Sequence, residues 1–157
     1  MKKLFTLALI CLMSTIVFAQ TDSTKSKPKA TPYVSIGVSV TNSNNFSMTS
    51  YPSFEAGICA KNLGLALVVG RGNFYQLGSP SDKIENYYYE AKATASCPIG
   101  ILTGTVLLGY GQYFNVKHNF IEYGGGFSYT EGRMGYGVIY SNWDGVNYVT
   151  PCITLNF

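Results

Sequence analysis

Tyr33-Val34-Ser35-Ile36-Gly37-Val38-Ser39-Val40 sets Val34, Ile36, Val38 and Val40 on one parity and Tyr33, Ser35, Gly37 and Ser39 on the other. A period of two is the signature of an extended strand, whose successive side chains point to opposite faces. No stripe at helical spacing occurs from Pro32 onward. The same alternation returns in Ser53–Lys61, Leu63–Arg71, Asn86–Ser96, Ile101–Tyr113, Asn119–Tyr129, Arg133–Ser141 and Asn147–Phe157. Eight such stretches of about 9–11 residues have the length that crosses a bilayer when tilted.

The links between the stretches also alternate. Asn42–Pro52, Gly72–Glu85, Phe114–His118 and Asn142–Val146 are the longer ones. Asn62, Cys97–Gly100 and Thr130-Glu131-Gly132 are the shorter. An even strand count with one trimmed and one elaborated end predicts an all-β, eight-stranded antiparallel up-and-down barrel, a topology that leaves no exposed edge.

Which face points outward decides the environment. A soluble barrel turns its apolar face inward and covers its exterior with charge, usually about a quarter or more of the surface residues. Only 12% of this chain is charged, and 46% is hydrophobic. The non-apolar face is mostly Gly, Ser, Thr and Tyr, which suits a narrow lumen, while the Val/Leu/Ile/Ala face suits lipid. Aromatics gather near the strand ends of the apolar face. Phe54, Tyr87, Tyr89, Tyr110 and Tyr140 lie toward the long links, and Tyr129, Tyr136 and Phe157 toward the short turns. Amphipathic rings prefer the headgroup level, so these eight are expected at the two membrane interfaces. The barrel is therefore expected to be transmembrane.

The remaining parts fit that setting. Met1-Lys2-Lys3 followed by apolar Leu4–Phe18 and Val17-Phe18-Ala19 reads as a signal peptide over 1–19, too short to span a membrane as a helix. Residues 20–31 are polar and aperiodic and read as a flexible periplasmic tail, with the barrel over 32–157. Asp22-Ser23-Thr24 is similar to a short bacterial O-glycosylation acceptor, a three-residue match that chance readily supplies. The formal charge of +3 comes from eleven basic and eight acidic residues. Without Lys2 and Lys3 the balance is nine to eight, so no basic field remains for nucleic acid.

The barrel region resembles the small eight-stranded outer-membrane β-barrels of the OmpA/OmpX type. The sharpest element is the last stretch, Val149 to Phe157, which alternates and ends in an aromatic residue. The resemblance implies the outer membrane of a Gram-negative-type bacterium, a porin-like place in the cell envelope, and outer-membrane lipid as surroundings. It also implies recognition by the outer-membrane insertion machinery through the strand ending at Phe157. Pro151 departs from the pattern and predicts a bulge or a weak point, because it removes one ladder donor.

Parity places Glu55, Glu90 and Glu122 in the lumen with Lys61, Lys92 and Arg133, a balanced set expected to pair and plug the barrel. A gated small pore is the alternative that the resemblance raises. Inward Tyr33, Tyr88, Tyr113 and Tyr148 share that space with many glycines. The expected role is structural or surface-interacting, through a ligand at the outer loops Asn42–Pro52 and Gly72–Glu85, with no catalytic residue, cofactor or metal. Two other readings compete with it. One is a lipid-modifying enzyme built on His118, the chain's one histidine, with Ser141 and Asp144; Phe120 stands where the lipid A deacylase pattern has serine. The other is a soluble lipocalin-like carrier. Of the cysteines after the leader, Cys59 and Cys152 face inward about 10 Å apart, two strand spacings, and Cys97 sits at a turn, so all three are expected to be unpaired.

Overall fold

The computed structural model describes residues 30–41, 49–75, 83–115, 117–143 and 145–157. The expected leader, residues 20–29 of the expected tail, the centres of the two long outer loops, and Asp144 lie outside the described residues, while Thr31, the last residue expected in the tail, opens the first strand. Eight strands form the barrel: β1 Thr31–Thr41, β2 Thr49–Ala60, β3 Leu63–Tyr75, β4 Lys83–Ile99, β5 Leu102–Tyr113, β6 Asn119–Glu131, β7 Met134–Trp143 and β8 Val146–Asn156. Each pairs antiparallel with the next, and β8 closes on β1. The up-and-down topology read from the alternation is the observed one.

At the short-turn end every connection has two residues. Ala60 pairs with Leu63, Ile99 with Leu102 and Glu131 with Met134. Each turn opens in or passes through the left-handed region, at Lys61 (φ 54°), Gly100 (φ 64°) and Gly132 (φ 60°). Positive φ matches such turns to the twist of their flanking strands. The strands therefore run further than expected. Cys97 and Pro98 belong to β4 and pair with Gly104 and Thr103 rather than forming a turn. At the other end β3 and β4 pair out to Tyr75 and Lys83, which shortens the expected Gly72–Glu85 link. The β7–β8 connection is also tight, since Trp143 pairs with Val146. Long links thus do not occur all round that rim.

The faces fall as the alternation requires. Ile36, Val38, Ile58, Leu65, Leu67, Val69, Val106 and Val138 are exposed on the outer wall, Leu67 at 69%. Ser35, Ser39, Val68, Glu90, Lys92 and Leu107 are buried inside. All eight expected interface aromatics, from Phe54 to Phe157, are exposed. Tyr123 and Phe127 are equally exposed, so the aromatics do not form two clean bands.

Pro151 leaves a gap rather than a bulge. The β1–β8 register runs from Tyr33 opposite Asn156 to Gly37 opposite Cys152, and resumes in step with Val40 opposite Val149. The two missing pairs are Val38–Pro151 and Ser39–Thr150. Both are the pairs that depend on an amide hydrogen at position 151 reaching the Val38 carbonyl, which proline lacks. A side-chain bond spans the break: Ser39 Oγ and Thr150 Oγ1 are 2.8 Å apart and buried.

Candidate functional site

Among the described residues, polar and charged side chains gather in the barrel interior. The interior has three levels. At the long-loop end Tyr51, Val68, Tyr88, Tyr113, Phe120, Trp143 and Tyr148 form one buried cluster. The rings interlock edge-on and offset: Tyr88 lies 5.1 Å from Trp143 and 5.6 Å from Phe120, and Trp143 lies 4.6 Å from Tyr148. Such pairs add to the benefit of burial itself. Of these residues the alternation had marked Tyr88, Tyr113 and Tyr148. Phe120 and Trp143 share parity with inward Glu122 and Ser141, so extending the period by one step finds them. Tyr51 lay inside the expected outer loop, and β2 begins earlier than that reading allowed.

Below the rings sits the charge cluster. Lys92 is buried, and its Nζ lies 3.2 Å from Glu55 Oε2 and 3.3 Å from Glu122 Oε2. Glu55 also accepts a hydrogen bond from the Tyr33 hydroxyl at 2.6 Å. Glu90 is buried to 1% exposure and neither of its oxygens has a hydrogen-bond partner. The other two cations expected here are elsewhere. Lys61 and Arg133 occupy two-residue turns at the rim and are exposed. Parity alone had extended their strands inward by one residue too many. The structure therefore gathers three carboxylates around one ammonium, not three around three.

The third level is open space. A cavity of about 210 Å³ runs from Lys92 and Glu55 down to the short-turn end. Hydroxyls line it, among them Tyr33, Ser96, Thr105, Thr150 and Thr154. Ser96 and Thr105 bond to each other at 2.9 Å, and Thr154 donates to Ser35 at 3.0 Å. Gly135 and Gly137 leave this space on the β7 side.

The thiols do not meet. Cys59 stands opposite Thr31 and Cys152 opposite Gly37. Six residues along β1 separate those levels, about 20 Å, which is wider than the separation expected from strand order alone. Cys59, Cys97 and Cys152 are all free.

Of the hydrolytic alternative, Ser141 and His118 are described and Asp144 is not. Ser141 is fully buried, and its Oγ has no hydrogen-bond partner. It is therefore not joined to His118, whose ring stacks on Tyr113 at 6.4 Å. Among the described residues no group of three His, Cys, Asp or Glu is arranged to hold a metal ion.

The fold and its interior define a closed eight-stranded antiparallel β-barrel with an apolar exterior. Among solved structures it is similar to neisserial surface protein A, with a TM-score of 0.48 and 14% identity, over 84% of this chain and 98% of that one. No protein-family model and no curated protein sequence matches.

Proposed function

We propose that the protein is an integral outer-membrane barrel that serves as a lipid-embedded scaffold for its outer loops. The observation that carries this reading is the exposed wall of Val, Leu, Ile, Tyr and Phe on every strand. In water that wall would be an apolar patch far larger than soluble proteins tolerate. In lipid it is the surface a barrel needs, with every strand edge paired by closure. The opposite arrangement, an apolar cup inside a charged shell, would define a soluble carrier. Tyr89 supports the headgroup assignment, because its hydroxyl bonds Gln112 at 2.6 Å and Gln112 bonds Asn119 at 2.8 Å. An exposed ring thus ends in a polar chain at the long-loop rim.

The barrel interior is closed to ions in this reading. The ring cluster fills its upper third, and an eight-stranded lumen has room for little beyond side chains. Contact with a surface ligand falls to the loops between β1 and β2 and between β3 and β4. No catalysis is assigned, because the hydroxyl and imidazole that a hydrolase would join are not bonded.

Cell fractionation with gels of heated and unheated samples tests the reading. The expected result is recovery in the outer-membrane fraction, with a mobility shift that appears only on boiling. A chain that stays soluble without detergent overturns it. In planar bilayers the inserted protein is expected to give no discrete conductance steps.

A further inference from the structure

We infer that the β1–β8 seam beside Pro151 is a lateral port, through which a single-chain amphiphile reaches from the bilayer into the lower cavity. The inference rests on the lipid-facing reading above and adds a site to it. Three features of one wall segment carry it.

The first is the ladder gap. Two consecutive pairs are missing between β1 and β8, and the Val38 carbonyl loses its backbone donor there. A carbonyl without its donor in a hydrocarbon layer is costly, so the segment has a standing reason to take a hydrogen-bonding guest. The Ser39–Thr150 hydroxyl pair is the side-chain bond across the break. The second is a groove of about 560 Å³ on the outer wall directly over Pro151, bordered by Ile36, Val38, Tyr136, Val138 and Ile153. It is apolar, as an acyl chain requires. The third is the thinness of the wall between groove and cavity. Gly37, Phe127, Ser128, Gly137 and Cys152 border both spaces. At the seam itself these are Gly37 on β1 and Cys152 on β8, with Gly137 beside them on β7, so small side chains separate the two spaces there.

The two spaces fit the two halves of one molecule. The groove takes the chain. The cavity is lined by hydroxyls, with Glu55 already held by Lys92 and Tyr33, which suits a head that exchanges hydrogen bonds through a hydroxyl. Opening requires rupture of the Ser39–Thr150 bond, while at position 151 the seam has one backbone bond fewer to break, because the proline nitrogen donates none.

Cys152 provides the readout, because its thiol lies on the inner side of the seam. The full chain carrying Cys11→Ser, Cys59→Ser and Cys97→Ser is inserted into phosphatidylcholine vesicles. It is then exposed to a maleimide borne on a palmitoyl chain, which stays in the bilayer. The port predicts labelling of Cys152. Adding Pro151→Val restores the missing donor and is expected to slow labelling about tenfold, the effect of one ladder hydrogen bond. Thr150→Val removes the bridging hydroxyl and is expected to speed it. No labelling of an inserted, heat-shifting barrel overturns the port, as do equal rates in all three proteins. A chain that fails to insert overturns the lipid-facing reading instead, and the port with it.

Discussion

Above Lys92 the barrel interior is filled by rings that touch one another; below it the interior is a hydroxyl-lined space bounded by glycines. The two halves share the same eight strands and the same wall. What differs is the side chain placed at each inward position, and that choice alone decides whether the lumen is packed or hollow. The upper half is held by burial and ring contact, so its tolerance for change is small. The lower half is held mainly by hydroxyl pairs at its wall, each worth little in net terms.

Substitutions that insert or remove one group separate the halves. The largest effect is expected in the upper half at Gly111, where an added Cβ would run into the Phe120 ring and the backbone of β4 at Tyr89. Gly111→Ala is expected to abolish the heat-modifiable folded band, because a backbone atom of a paired strand cannot step aside. Next comes Lys92→Met, which leaves Glu55 and Glu122 buried without their cation. Urea unfolding in micelles is expected to show a loss of about 3–5 kcal/mol. Ser39→Ala removes half of the hydroxyl bridge across the seam and is expected to cost about 1 kcal/mol in the same measurement. The smallest effect is expected in the lower half at Gly135, where an added Cβ meets Thr154 at an ordinary 3.4 Å. Gly135→Ala should stay within about 0.5 kcal/mol of the parent. A Gly135 variant as damaging as Gly111→Ala would erase the distinction between the halves.

The strands, their order and their faces were legible because a period of two survives wherever one face must differ from the other. Val34 to Val40 shows this most plainly, and the structure keeps every one of its assignments to a face. Strand ends were less legible. Whether Lys61 or Arg133 is the last residue of a strand or a turn residue depends on φ, which alternation does not encode. The same uncertainty hid Tyr51 in an expected loop and kept Phe120 and Trp143 out of the interior. Pro151 shows a different limit. Its missing donor was plain from the sequence, but which neighbour that donor would have faced depends on register. Only the pairing of β8 with both β7 and β1 reveals that the gap falls on the closing seam and that the register stays in step across it.

Under the outer-membrane placement proposed above, the spacing of Cys59, Cys97 and Cys152 has a consequence for the life of the chain, because that route passes through an oxidising compartment. Cys59 and Cys152 stand at different heights, and Cys97 is on the opposite side of the wall from both. Among the described residues none of the three has a thiol partner. Oxidation therefore has nothing to stabilise in the native state and everything to trap in an incompletely assembled one. An intramolecular cross-link recovered from cells would mark chains that never closed.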